Sequence, residues 1–289
     1  MDKHTIESRQ STYIGAAGRK SAYDLHYSMF DHSRTLLIFA HGYKGFKDWG
    51  AWNLIARSFA EAGCDFLKFN FSHNGCSPEQ LLDFVDLDAF AVNTYSKELE
   101  DILSIIELVR SGRAIPNQSR LWEHLVLIGH SRGGGIATLA AHRAQGIDAL
   151  ITWASVAGFE NRFSFDLVKW EEEGVAYVKN GRTGQMMPHK FQFYTDFQDN
   201  RGALDIQAAA ASLRMPALVL HGERDEAVAY EHAIKLASSI ANAELHCIRA
   251  TQHTFGMMHP WPVDRELPPA AQELVQRSLT FLRSQDLIP

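Results

Sequence analysis

Cysteine is scarce in this sequence. Cys64, Cys76 and Cys247 stand far apart in a chain of 289 residues and form no CxxC pair. An odd, scattered set excludes a disulfide framework and fits free thiols in a reducing compartment. Long apolar runs are also missing. None reaches the ~18 residues that a spanning helix needs, and residues 1–10 are polar and mixed in charge, without the apolar centre of a secretory leader. The expected address is the cytoplasm, with no membrane partner. An excess of positive charge is lacking as well: the formal net charge is −6 and the pI is near 6.1. With no Lys/Arg stripe interleaved with aromatics, a nucleic-acid partner is not expected. The sequence holds no HExxH, no carboxylate cluster at metal spacing, no P-loop and no GxGxxG. Neither a metal nor another cofactor is therefore expected.

Apolar residues make up 46% of the chain, enough for a sizeable core. Residues 11–15 and 21–27 read as two strands joined through Gly15-Ala-Ala-Gly18. Residues 35–40 are apolar or nearly so at every position and end at His41-Gly42, the pattern of a strand buried on both faces. Strands and helices then alternate. A helix is expected over 48–62, with Asp48 as N-cap and Gly63 at C′, and a strand over 64–71. Residues 95–110 place Leu99, Ile102, Leu103, Ile106 and Val109 on one helical face. Strands are expected at 125–129, 149–154, 217–221 and 244–248, and helices at 133–145, 230–240 and 270–283. This alternation predicts an α/β fold: a mostly parallel sheet with helices on both faces. Residues 158–205 break the rhythm and are rich in aromatics, among them Phe159 and Trp170, with Asn180-Gly181 as a hairpin signal. They read as a cap inserted between two core segments, 1–157 and 206–289.

The sharpest motif is Gly129-His130-Ser131-Arg132-Gly133, a GxSxG between an apolar strand and a small-residue helix. A serine forced into so tight a turn stands above the sheet beside the helix's first free N–H groups. A serine hydroxyl needs a base, and the base an orienting carboxylate, in the order Ser, acid, His. The strand before His221-Gly222-Glu-Arg-Asp225 leads to Asp225, with Glu223 and Glu226 as rivals. The last strand leads to His253, with His259 second; His246 lies within the strand itself. The oxyanion donors are expected to be the backbone N–H groups of Tyr43 and Arg132. Substrate contacts are expected from His41, Gly42, His130, Phe159 and Trp170, although His41, His130 and His221 also read as braces of the loops.

These residues resemble the α/β-hydrolase superfamily along nearly the whole chain. The likeness is greatest to single-domain serine esterases and serine-peptidase-like hydrolases with His-Gly-x-x-Gly after the first central strand, here His41, Gly42 and Gly45. The arrangement and aromatic content of the insertion are similar to those of feruloyl and cinnamoyl esterases. Residues 69–77 occupy the place of the family's Asp-x-Arg-Gly-x-Gly-x-Ser loop but lack its arginine. The resemblance implies Ser131 as nucleophile, Asp225 as acid and His253 as base. The expected reaction is hydrolysis of a carboxylic ester with a small or aromatic acyl group, so the expected partner is a small-molecule acyl substrate. Two other readings are a serine aminopeptidase, its substrate amine anchored by Glu160 or Glu171–Glu173, and a binding module on the same scaffold. The sequence leaves the oligomeric state open.

Overall fold

The computed structural model describes residues 6–28, 33–115 and 119–289. Residues 1–5, on which part of the leader expectation rests, lie outside them. The chain opens with the antiparallel strands β1 (Ile6–Ile14) and β2 (Lys20–Ser28), joined by a single 3₁₀ turn at Ala16–Gly18. Strand β3 (Thr35–Ala40) is buried at every position. Helix α1 (Trp52–Glu61), strand β4 (Asp65–Phe69), the short helix α2 (Leu87–Ala91) and helix α3 (Tyr95–Arg110) follow. The Thr94 hydroxyl caps α3 by accepting from the Lys97 N–H at 3.3 Å. Then come β5 (His124–His130), α4 (Arg132–Arg143) and β6 (Ala149–Trp153). An insertion holds α5 (Leu167–Glu173), the hairpin β7 (Val175–Lys179) and β8 (Met186–Lys190), and α6 (Gln192–Asp199). The chain closes with α7 (Ile206–Ser212), β9 (Ala217–Gly222), α8 (Glu231–Ser239), β10 (Ala243–Ile248) and α9 (Pro269–Ser284).

Eight strands form one sheet in the order β1-β2-β4-β3-β5-β6-β9-β10. The pairs from β4 to β10 are parallel, and β2, antiparallel to both β1 and β4, is the one strand of this sheet that runs the other way. Parallel strands need crossovers, which the helices supply on both faces. The period of two along β3 divides the core accordingly. Leu36, Ile38 and Ala40 pack with α3, α4, α7 and α8 side chains such as Ile102, Ile136, Ala210 and Leu236. Leu37 and Phe39 face the other way, against Ile55 and Phe59 of α1 and Leu274 and Phe281 of α9. Full burial of each such side chain contributes ~1.5–3 kcal/mol.

One capping expectation fails. Asp48 does not begin α1, whose N-cap is Ala51 without a side-chain bond. Its carboxylate instead joins a buried network: Lys47 Nζ donates to Asp24 at 2.6 Å and also to Asp48, while Lys68 Nζ donates to the same two carboxylates. Burial raises the Asp48 carboxyl, but the Lys68 and Lys47 charges outweigh it and hold the group well below the usual carboxylate range. Two buried ammonium groups leave a nearby carboxylate no freedom to cap a helix. Cys64, Cys76 and Cys247 are free thiols. Among the described residues no helix is long and apolar enough to cross a membrane.

Candidate active site

Ser131 is the single residue between β5 and α4, at φ 58° and ψ −122°. Such a backbone costs ~1–3 kcal/mol for a residue with a Cβ, so its surroundings must hold it. The Ser131 N–H donates to Trp153 O at 2.9 Å, and its carbonyl accepts from Gly134 N at 3.0 Å and Val156 N at 3.2 Å. The flanking glycines have a steric reason. A Cβ on Gly129 would overlap the Gly133 carbonyl, and one on Gly133 would overlap the carbonyl oxygens of Ala40 and His41. Strand β3 ends against the same corner, where a Cβ on Gly42 would lie 3.0 Å from Ser131 Cβ. Neither the Tyr43 nor the Arg132 backbone N–H bonds to a described residue. For Arg132 this follows from its place at the start of a helix.

Asp225 follows β9 and His253 follows β10, so parallel pairing brings both to the strand ends where Ser131 stands. His253 Nδ1 donates to Asp225 Oδ2 at 2.7 Å. The other oxygen accepts from Ala227 N and Val228 N, each at 2.9 Å. Since a carboxylate only accepts, Nδ1 carries the imidazole proton and Nε2 is left as the basic nitrogen. Burial raises the Asp225 carboxyl, yet hydrogen bonds from His221 and His253 hold it well below the ordinary range. Glu223 instead accepts from Ala250 N at 2.8 Å, and His259 Nδ1 accepts from Gly50 N at 2.9 Å. These two of the three rival side chains therefore serve loops.

Ser131 and His253 line one cavity of about 370 Å³. Their side chains form no hydrogen bond with each other among the described residues, a contact that commonly tightens only when substrate enters. Tyr43, Val156 and Phe159 form part of the wall, and the insertion adds Phe165, Val178, His189 and Phe193. Lys44, Arg132 and Arg162 also face the cavity. The Arg132 guanidinium lies over the Tyr43 ring at 4.2 Å and donates to Glu98 Oε1 at 3.2 Å. The Tyr43 hydroxyl donates to His189 Nε2 at 2.6 Å, which joins the loop after β3 to the insertion. Burial pulls His189 down to about 3, with Arg132 and Lys44 adding to the effect, so its ring is neutral and free to accept.

Of the five residues expected to touch substrate, only Phe159 lines this cavity. The His41 Nδ1–H donates to Gly42 O at 2.9 Å, its Nε2 accepts from Phe71 N at 3.2 Å, and burial pulls it down to about 4. It is thus a neutral brace beneath the loop that carries Gly42. The His130 Nε2–H donates to His253 O at 3.0 Å, and burial, followed by the His253 charge, pulls it down to about 3. It holds the backbone of His253. Trp170 is buried inside the insertion, its indole N–H donating to His189 O at 2.7 Å. His221 donates through Nε2 to Val228 O at 2.8 Å, beside Asp225. Lys44, Tyr95, Arg162, His189 and Phe193 reach the cavity without having been singled out from the sequence. Lys44 lies inside the His-Gly-x-x-Gly motif, which was its one available signal. The loop that lacks the family arginine is anchored otherwise: Asn70 Oδ1 accepts from Lys47 N at 2.7 Å, and Asn74 Nδ2 donates to Gly45 O at 3.3 Å.

No curated protein matches the chain in sequence. Among solved structures, Est1E from Butyrivibrio proteoclasticus superposes with a TM-score of 0.68 at 20% identity, covering 94% of this chain and 97% of that one. The same protein with ferulic acid bound gives a TM-score of 0.69 at 20% identity, covering 95% of this chain and 99% of that one. An acylaminoacyl peptidase from Pyrococcus horikoshii gives 0.67 at 14% identity, covering 96% of this chain but 42% of the peptidase. At these identities the likeness concerns the fold. The sequence profile of the alpha/beta hydrolase fold family matches residues 35–204, more than half of the chain and inclusive of β3, β5 and the Ser131 turn. With the eight-stranded sheet and its strand order, this match places the chain in the α/β-hydrolase family.

Proposed function

We propose that this protein is a serine hydrolase that cleaves carboxylic esters through an acyl-enzyme on Ser131. The observation that carries the reading is the 2.7 Å bond from His253 Nδ1 to Asp225, which leaves the opposite ring nitrogen basic in the cavity that Ser131 lines. His253 takes the Ser131 proton as the hydroxyl attacks the acyl carbon. The backbone N–H groups of Tyr43 and Arg132 receive the developing oxyanion, each contributing ~3 kcal/mol in the transition state. Asp225 holds the tautomer and stabilises the imidazolium. The alcohol leaves with the proton from His253, and water then repeats the sequence on the acyl-enzyme.

The insertion is proposed to act as a cap, because Phe165, Val178, His189 and Phe193 form one side of the cavity. The rings of Phe165, His189 and Phe193, with Phe159, suit a small or aromatic acyl group, in keeping with the fold shared with a ferulic-acid-bound structure. The aminopeptidase reading draws no support from the cavity wall. Glu160 and Glu171–Glu173 are not part of it, and the charges that are present would repel a substrate ammonium. The test is hydrolysis of 4-nitrophenyl acetate and butyrate by the wild type and by Ser131→Ala, with fluorophosphonate labelling of Ser131. Turnover that vanishes in the variant is expected. Absence of both turnover and label in the wild type would dispose of the proposal.

A further inference from the structure

The charges around this cavity are one-sided. Lys44, Arg132 and Arg162 line it, and among the described residues no aspartate or glutamate does. The three come from separate parts of the chain: the loop after β3, the first residue of α4, and the segment leading into the insertion. Their compensation within the protein is thin. Glu98 takes one hydrogen bond from Arg132 at 3.2 Å, while its other oxygen is buried without a partner among the described residues. The Arg162 guanidinium donates to Ala227 O at 3.0 Å, a neutral group. The Lys44 ammonium has no ion pair among the described residues and lies 5.2 Å from the Tyr43 ring centre. Burial first, with the Arg132 charge adding to it, lowers the Lys44 ammonium. Burial likewise lowers the Arg162 guanidinium, with Arg132 adding to the effect and Tyr95 and the Asp225 carboxylate opposing it.

A second observation is independent of charge. Tyr95 also lines the cavity, is wholly buried, and stacks on Phe159 with ring centres 3.8 Å apart. Its hydroxyl has no hydrogen-bond partner among the described residues. A buried donor left unpaired costs ~1–3 kcal/mol, so its place is explained by a group that it meets only when the cavity is filled. Three cations and an unpaired hydroxyl among aromatic faces define what that group needs: a negative charge, several acceptor lone pairs, and an apolar body beside it.

We propose that the substrate is an anionic ester, one whose acyl or alcohol part carries a carboxylate received by Lys44, Arg132 and Arg162. This inference rests on the ester-hydrolase reading above. The carboxylate binds without reacting. Its binding relieves the repulsion among the three cations and orients the ester carbonyl toward Ser131 and the two backbone N–H groups. The cavity of about 370 Å³ suits a short acid or a single aromatic ring rather than a long lipid chain.

Two pairs of matched esters test this at low salt. 4-Nitrophenyl hydrogen adipate against 4-nitrophenyl hexanoate places the charge on the acyl side. 4-Acetoxybenzoate against 4-acetoxybenzamide places it on the alcohol side. The wild type should favour the charged member of at least one pair by about tenfold in kcat/KM. The preference should fall with added salt, and Lys44→Met and Arg162→Gln should each lower the charged-to-neutral ratio about fivefold. If the neutral member is hydrolysed as fast in both pairs, or the ratio survives both substitutions, the anionic-substrate inference is wrong while the ester-hydrolase reading stands. If no ester of either pair is cleaved and a fluorophosphonate leaves Ser131 unlabelled, the parent reading falls and takes the inference with it.

Discussion

Asp225→Asn separates orientation from mere presence of the imidazole. In the folded protein Asp225 Oδ1 accepts from Ala227 N and Val228 N at 2.9 Å each. Asparagine must turn its carbonyl oxygen to those two donors, because its NH₂ cannot accept from them. The amide NH₂ then faces His253 Nδ1, where Oδ2 accepted at 2.7 Å. The imidazole responds by moving its proton to Nε2, the nitrogen that takes one from Ser131 in the proposed mechanism. The carboxylate charge is lost at the same time. With its centre roughly 4 Å from the imidazolium and an effective dielectric of about 20, that charge is worth ~4 kcal/mol. The wrong tautomer and the missing charge together predict a drop in kcat of about 10³–10⁴. KM should change little, since Asp225 does not line the cavity. Stability should fall by ~1–3 kcal/mol at neutral pH. That difference has a defined pH sign. The Asp225 carboxyl is held well below its ordinary value, so its stabilisation is present above ~4 and is lost progressively as the pH falls below that toward the depressed folded-state value. The variant and the wild type should therefore converge in acid. Steady-state hydrolysis of 4-nitrophenyl butyrate and urea unfolding at several pH values measure all of this. A variant that keeps more than about a tenth of the wild-type kcat would refute the geometry argued here.

Other substitutions probe different levels of the structure. Gly133→Ala puts a methyl group on the carbonyl oxygens of Ala40 and His41. It should lower the Tm by several degrees and abolish phosphonate labelling, and an unchanged labelling rate would count against a sterically imposed turn. Tyr43→Phe removes the donor to His189 Nε2 and leaves a buried acceptor unpaired. It should cost ~1–3 kcal/mol in unfolding free energy and raise KM more than it lowers kcat, because the proposed oxyanion donor is backbone; a fall confined to kcat would give the phenol a role in the chemistry. Lys68→Met leaves Asp24 and Asp48 sharing Lys47 alone. Urea unfolding should show a loss of ~3–5 kcal/mol at neutral pH, whereas an equal or greater stability would mean that the buried network is dispensable.

Much of the framework was legible because its causes are local. The apolar run at 35–40 has no solvent-facing position, and in the fold none is exposed. Helix α3 begins and ends where the periodicity of Leu99, Ile102, Ile106 and Val109 places it, with Thr94 capping it. Ser131, Asp225 and His253 could be singled out because each follows a strand of the sheet, and parallel pairing carries strand ends to one edge. The readings that failed depend on partners remote in the chain. An aspartate before a helix looks like a cap until two lysines, one of them in β4, claim it. His41, His130 and Trp170 have the chemistry to contact a ligand. Whether a ring points into the cavity or toward Phe71, His253 or His189 is decided by tertiary packing alone. The cationic wall was hidden for the same reason: Lys44, Arg132 and Arg162 converge only after folding.

Arg132 holds two posts that share no atoms. Its amide hydrogen is one that every residue except proline could offer at that station, whereas its guanidinium colours the chamber above. On the mechanism proposed above, exchanging the side chain at this position would alter which guests are welcome, while the backbone donor beneath would be inherited intact.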